Sequence, residues 1–443
     1  MLAHLLARVQ PERVDLASTG DAFHDGRPSL DQQSSRLMVP LGQALWPAVR
    51  AGAAFWLATR VGLAAFTYFT IIFNHPGLSG LKQGSPPSHV IVQSWCRWDC
   101  GWYYTIAFRG YWTSQASAFF PLYPALVHGV GALIASLHVL HTLDPYILAT
   151  LLVANVAALA AFVGIALLAR QEDASQSVMW GALALFAAYP YTFFLAAGYT
   201  ESLFIASAIF ALIAARRGWW LIAAVAALVA TFTRGTGLIL VLPLLWEFGH
   251  QHHWWTWSGW RSAWHRRVTP RIVATGLLVI GSVPLAFGGY GWYLWRRFGD
   301  PLAFQRSEAL WGRHLAAPWS TALLFVQRFG QQPPWAYSQM LMLLDGVLIV
   351  AFVLLVLLCA ARVPFAFTLY SAALVAIVML EPAPSWAEIF PGLGRLLLPA
   401  VPLFFGLAVW MKRKPGVLTL IVGLMVAVQA GLATFWLNGV WVA

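Results

Sequence analysis

The segment Arg97-Trp98-Asp99-Cys100-Gly101-Trp102-Tyr103 sets a cation, a carboxylate and an aromatic cluster in a short polar interval between long apolar runs. An aspartate held between Trp98 and Trp102 near a membrane surface can take a proton from a hydroxyl, its basicity tuned by desolvation and neighbouring charge. Arg97 and Arg109 can supply positive charge to a phosphate leaving group. The same residue types also suit an interfacial Asp–Arg pair that only fixes a loop, and both readings stand at this level.

Further polar interruptions follow. In Phe119-Phe120-Pro121-Leu122-Tyr123-Pro124 the prolines limit the first turn of a helix whose open N–H groups can face a ligand, and Tyr123 offers a hydroxyl donor. From Tyr189-Pro190-Tyr191 to Gly198-Tyr199-Thr200-Glu201-Ser202, Pro190 bends one helix and Gly198 begins the reversal into the next. Glu201 then falls at a membrane boundary, where a carboxylate is costly unless paired or used. Thr200 capping that helix, with Glu201 in its first turn, is a compatible structural role. Thr233-Arg234-Gly235-Thr236-Gly237 is too short and too poor in lysine for a nucleotide P-loop. It suits either a buried arginine with close helix packing or contact with an anionic lipid. Gly299-Asp300-Pro301 with Arg306, Glu308, Trp311 and Arg313 forms a second polar and aromatic patch, and Arg395 follows Pro391-Gly392-Leu393-Gly394 where another helix begins.

The elements that must position these residues are set by composition. Of 443 residues, 60% are hydrophobic and 10% charged, outside the range of a soluble domain, and repeated apolar windows of roughly 20 residues are long enough to cross hydrocarbon as helix. The windows are apolar on every face, which excludes a lipid-exposed barrel. The chain is therefore expected to be an all-α polytopic membrane protein with about 11 or 12 spans, the first from about Leu45 to Phe73 with Arg60 in its middle. Residues 1–40 are expected to be a cytoplasmic tail and 41–443 a single transmembrane domain, with 74–118 a first external loop containing an interfacial helix and 291–335 a second polar external loop.

The net charge of +11 does not signal nucleic acid, because much of it sits in clusters at helix ends: Arg216-Arg217, Arg261 to Arg271, Arg296-Arg297 and Lys412-Arg413-Lys414. Such clusters mark cytoplasmic margins. With the tail, Arg216-Arg217, the Trp254 to Arg271 loop, Ala361-Arg362 and Lys412 to Lys414 inside, the 74–118 loop, the Tyr199-Thr200-Glu201 corner, the 291–335 loop and the 382–394 loop share the other face. One conflict remains. If 119–140 and 146–169 both cross, Arg170 lands outside, so one of them is expected to be partial or re-entrant. Cys96 and Cys100 read as ordinary thiols ahead of a disulfide, and no histidine or further cysteine completes a metal set with them. The His- and Trp-rich tract His250 to Trp264 reads as an interface anchor rather than a metal site.

Taken in order, Arg97-Trp98-Asp99, Trp102-Tyr103, Ile106-Ala107, Gly110-Tyr111, Phe119-Phe120-Pro121-Leu122-Tyr123-Pro124, Tyr199-Thr200-Glu201-Ser202, Thr233-Arg234-Gly235 and Gly299-Asp300-Pro301-Leu302-Ala303-Phe304 resemble the mannosyltransferase 2 family of glycosylphosphatidylinositol assembly (PIG-V-like), including its prokaryotic relatives. The resemblance implies a C-type glycosyltransferase fold and a polyprenyl-phosphate sugar as donor, with mannose as the sugar, usual inversion and a lipid or glycan acceptor. It makes Asp99 the catalytic candidate, Glu201 the reserve, and Arg97, Arg109, Arg234 and Arg395 the candidates for the phosphate, with Tyr123, Tyr199, Trp98 and Trp102 lining the substrate site. No cofactor or metal is expected, and the chain is expected to act as a monomer in a prokaryotic plasma membrane with its site on the non-cytoplasmic side. Gly392-Leu393-Gly394-Arg395-Leu396 stands where eukaryotic relatives tend to carry a serine and an Arg-Tyr pair, which weakens carry-over of their acceptor. The alternatives are a transporter or flippase for a lipid-linked or anionic substrate, with Arg60 and Arg234 on its pathway, and a non-enzymatic membrane assembly factor.

Overall fold

Among the residues described by the computed structural model, 39–73, 87–138, 143–255, 269–383 and 389–442, every regular element is a helix. Nearly all of the expected tail lies outside these residues, as do 74–86 of the first loop, residues 256–268 with Arg261, Arg266 and Arg267, and 384–388. In lipid only internally hydrogen-bonded backbone survives, so apolar sequence of this length becomes helix.

In chain order the helices are α1 (Leu41–Phe73), α2 (Pro87–Ser94), α3 (Asp99–Arg109), α4 (Leu122–Ser136), α5 (Pro145–Glu172), α6 (Gln176–Ala188), α7 (Glu201–Arg216), α8 (Trp220–Thr233) and α9 (Val241–Gln251). They continue as α10 (Pro270–Phe298), α11 (Ala303–Leu310), α12 (Pro318–Arg328), α13 (Tyr337–Cys359), α14 (Phe365–Leu380), α15 (Leu393–Leu397), α16 (Val401–Met411) and α17 (Pro415–Leu437). Local chemistry sets the boundaries. Asp144 accepts from the Tyr146 and Ile147 N–H groups at 2.8 and 3.2 Å, with Pro145 opening α5, and Thr269 with Pro270 does the same for α10.

Five helices, α1, α5, α10, α13 and α17, are long and apolar enough to cross a membrane by length and composition, which makes this an integral membrane protein with multiple spans. Helices α4, α6, α8, α14 and α16 are apolar but only 11 to 16 residues long. The expected 11 or 12 spans thus resolve into long helices and shorter ones. Tight packing among them is licensed by small residues: a Cβ at Gly52 of α1 would stand 2.7 Å from the Val163 backbone of α5.

Two polar layers orient the bundle. At one end Arg216 is buried between Glu172 at 2.9 Å and Glu247 at 2.8 Å, Arg217 donates to the Val39 carbonyl at 3.0 Å, and Lys412 reaches Asp173 at 3.2 Å. Glu201 and Arg216 open and close α7, so Glu201 stands about 22 Å away at the helical rise, toward the other end of the bundle. The Arg170 conflict disappears in this arrangement. Helix α4 begins beside Thr150, whose carbonyl accepts from the Tyr123 hydroxyl at 2.7 Å, and Gly131 further along it packs on Tyr146 nearer the start of α5. It therefore runs beside the outer part of α5 without a full crossing, and the end of α5 joins the basic layer. Arg296-Arg297 is a correction. It ends α10 at the Asp99 end of the bundle, where Arg297 donates to the Tyr111 carbonyl at 3.1 Å, so the pair does not join the layer of Arg216, Arg217 and Lys412 at the other end.

Arg60 in α1 donates to Asn155 Oδ1 at 2.5 Å and to the Leu195 carbonyl at 2.9 Å. It fixes the irregular, wholly buried stretch 189–200, where backbone groups need protein partners. A smaller aromatic core of Tyr103, Phe119, Phe120, Tyr123 and Tyr290 seats α3 and the start of α4.

Candidate active site

Helix α3 starts at Asp99 itself. The residue before it, Trp98, takes φ 48°, a left-handed backbone rare for an aromatic residue, and its ring packs against Trp436 and Trp441 at 4.4 and 5.3 Å between centroids. Tyr199 pins this turn from α7's side: its buried hydroxyl accepts from the Asp99 N–H at 3.3 Å and donates to the Arg97 carbonyl at 3.1 Å. The reading of Cys96 and Cys100 as ordinary thiols is corrected here. Their Cα atoms stand 5.0 Å apart and the two form a disulfide, because the turn around Trp98 brings both sulfurs to the same side.

From the C-terminal half comes Arg395, on the one-turn helix α15. Gly392 enters it at φ 83°, and Gly394 leaves room for the Tyr191 ring, which any Cβ there would overlap. The Tyr189 hydroxyl donates to the Gly394 carbonyl at 2.8 Å and locks the turn.

These elements bring four charges into a row. Asp99 Oδ2 accepts from Arg395 Nη1 at 2.6 Å; Arg395 Nε lies 3.4 Å from Glu201 Oε1; and that same oxygen accepts from Arg234 Nη1 at 2.6 Å. Arg234 also donates to the Thr200 hydroxyl at 3.0 Å, which meets the Tyr103 hydroxyl at 3.2 Å. Alternating signs keep the row neutral overall and make each buried charge affordable. Side-chain exposure is least in the middle of it, 1% at Glu201 and 7% at Arg395, and greater at its two ends, 19% at Arg234 and 21% at Asp99. Asp99 is thus the more exposed of the two carboxylates, and Glu201 lies beneath the guanidinium groups. Its second oxygen, Oε2, is buried without a hydrogen-bond partner.

Arg395 is also faced by the rings of Phe194, Tyr199 and Trp441, 5.2 to 5.6 Å from its guanidinium carbon. Burial alone would lower its basicity, but Asp99 and Glu201 outweigh that and hold it above the usual arginine range. Burial pushes the Tyr103 phenol well up, so it stays neutral and able to donate.

Of the residues singled out in the sequence, the fold gathers Asp99, Glu201, Arg234 and Arg395, and it uses Tyr199 to aim the first. Others are engaged elsewhere. Arg97 donates to the Leu437 carbonyl at 3.2 Å and carries a basicity lowered by burial. Arg109 is exposed at the far end of α3, about 15 Å along the helix from Asp99, which removes it from this cluster. Tyr123 is fully buried with its hydroxyl proton given to Thr150. Trp102 has Trp112 stacked 5.5 Å from it and Phe119 5.4 Å from it, both nearly parallel, so it works as a wall. Thr200 does not cap α7 with its side chain; its hydroxyl is turned to Arg234 and Tyr103 instead. The sequence reading missed Thr200's ion-row role, Phe194 and Trp441. The last sits among apolar residues at the C-terminal end, with no local polar signal.

An apolar cavity of about 220 Å³ opens between α1, the 189–200 stretch and α17, lined by Leu63, Phe66, Thr192, Phe193 and Gln429 among others, and it is linked to the row through Phe193. Phe193 stacks on Phe194 at 4.6 Å, and Phe194 is one of the rings facing Arg395.

A family profile described as Mannosyltransferase (PIG-V) matches residues 82–371, more than half of the chain. Among solved structures, ArnT from Cupriavidus metallidurans bound to undecaprenyl phosphate is similar at a TM-score of 0.41 and 14% identity, over 83% of this chain and 63% of that one. The chain thus spans less than two-thirds of that protein. No curated protein matches.

Proposed function

Since the chain belongs to the mannosyltransferase (PIG-V) family, we propose that it transfers a hexose, mannose, from a polyprenyl-phosphate sugar to a hydroxyl of a lipid or glycan acceptor, with inversion, on the non-cytoplasmic face. The observation that carries the reading is the row Asp99, Arg395, Glu201, Arg234, gathered from four separate parts of the chain. The arginines are held by the carboxylates of the row. A donor phosphate entering beside Arg395 and Arg234 competes for the same N–H groups and frees Asp99 from its partner. Asp99 then takes the proton of the acceptor hydroxyl as its oxygen attacks the anomeric carbon. The bond from that carbon to the phosphate oxygen breaks, its electron pair stays on the phosphate, and the guanidinium groups stabilise the added charge. A single displacement inverts the anomeric centre. Glu201 lies too deep for the acceptor and serves to hold both arginines. The apolar cavity backed by Phe193 is a place for the first isoprene units.

The orientation is supported by the basic layer of Arg216, Arg217 and Lys412 at the opposite end and by a disulfide on the Asp99 face. The transport reading placed Arg60 and Arg234 on a pathway; Arg60 is instead bound to Asn155 and Leu195 and Arg234 to Glu201. The test is incubation of the purified protein with a panel of polyprenyl-phosphate sugars and a membrane extract, with products identified by mass. A glycosylated product from the mannosyl donor supports the reading. Movement of donor across vesicles with no new glycosidic bond refutes it.

A further inference from the structure

Cys96 and Cys100 bracket Arg97-Trp98-Asp99, and the bond between them closes a small covalent ring around the more exposed carboxylate of the ion row. We propose that this disulfide is a positioning device for Asp99: oxidised, it holds the carboxylate against Arg395, and reduced, it lets the turn relax and turnover fall.

Four observations converge on this. The ring contains Trp98 at φ 48°, a backbone state that an aromatic residue leaves unless its surroundings hold it. The non-covalent restraints reach the turn from separate elements: the Tyr199 hydroxyl on the Arg97 carbonyl and the Asp99 N–H, Arg97 on the Leu437 carbonyl at 3.2 Å, Arg395 on Asp99 at 2.6 Å, the Cys100 and Gly101 N–H groups on the Arg97 and Trp98 carbonyls at 3.1 and 2.9 Å, and the Trp436 and Trp441 rings; only the disulfide closes the turn on itself covalently. Cys100 is wholly buried and seated in the turn that leads to Glu201. A Cβ at Gly198 would stand 2.5 Å from Cys100 Sγ and 2.6 Å from Thr150 Oγ1, and the Gly198 N–H donates to the Trp95 carbonyl at 3.1 Å. The disulfide therefore lies where the Asp99 turn meets the Glu201 turn, and it fixes one relative to the other. Finally, Cys96 is only half-buried, which gives a thiol reagent its point of entry.

Forming the bond takes two electrons and two protons from the Cys96 and Cys100 thiols to a disulfide-bearing oxidant, which leaves as a dithiol. A dithiol reductant reverses the exchange. Such oxidants act on the non-cytoplasmic side, opposite the basic layer.

The kinetic arm of the test rests on the proposed transfer reaction; the other two arms do not. First, purified full-length protein is denatured and alkylated before and after dithiothreitol. One alkyl group is expected before, on Cys359, and three after; three before would overturn the proposal. Second, hydrogen exchange of the peptide carrying Asp99 is expected to rise on reduction while α5 is unchanged, and identical exchange in both states would overturn it. Third, C96S and C96S/C100S are expected to lose about tenfold in kcat with KM for the donor within twofold, and to ignore dithiothreitol, which slows the wild type to the same rate. Full kcat in the double variant would overturn the positioning role. If even the wild type makes no product, the transfer reading fails while alkylation and exchange still decide this inference.

Discussion

Replacing each carboxylate of the ion row by its amide should separate chemistry from structure. Glu201→Gln removes the charge lying between Arg234 at 2.6 Å and Arg395 at 3.4 Å, at a site where the carboxylate is 1% exposed. Arg395 keeps Asp99, but Arg234 is left facing a neutral amide, and breaking a buried pair in this way costs about 3–5 kcal/mol. Asp99→Asn is different. Arg395 keeps Glu201, the lost partner is 21% exposed, and water can take over part of its role, so the stability loss should be about 1 kcal/mol. Turnover should show the reverse order. Loss of a general base removes about 10²- to 10⁴-fold in rate, so D99N should be nearly inactive while folded, and E201Q should keep measurable kcat with a weaker donor KM. Thermal unfolding in detergent and single-donor kinetics on the same preparations would give both quantities. The reasoning is refuted if E201Q unfolds like wild type but has no turnover, or if D99N retains full kcat.

Other outcomes follow from the same geometry. Tyr199→Phe loses two hydrogen bonds to the Asp99 turn and should reduce kcat several-fold at unchanged donor KM, with a stability loss of about 1–2 kcal/mol in a denaturation series. Arg109→Ala, at an exposed helix end away from the row, should leave kcat/KM within about twofold of wild type, an effect under about 0.5 kcal/mol; a hundredfold loss would place the phosphate elsewhere. Arg216→Gln leaves Glu172 and Glu247 buried together without their cation and should destabilise by about 3–5 kcal/mol, yet leave donor affinity by isothermal titration unchanged, because the cluster sits at the other end of α7.

Composition and the length of the apolar windows decide the solvent this chain needs and the architecture that follows. Sixty per cent hydrophobic residues in repeated long windows leave helix as the way to satisfy the backbone in lipid, and basic residues such as Arg216, Arg217 and Lys412 could be sorted to one face from position alone. Asp99, Glu201, Arg234 and Arg395 were also legible, each as a charge interrupting apolar sequence, because a charge there is too costly to keep without a partner or a use. Their partners were not legible. Arg97 and Arg109 flank Asp99 in the chain, yet one turns to Leu437 and the other is carried away along α3 at 1.5 Å per residue, roughly the helical rise. Arg395 stands 296 positions from Asp99 and meets it at 2.6 Å because α14, α15 and α16 return the chain to that edge. The disulfide depended likewise on the turn at Trp98, which residue spacing does not specify. Composition and period fix which segments enter the membrane, but which charged groups touch is decided by how whole helices pack, and that information is spread over the entire chain.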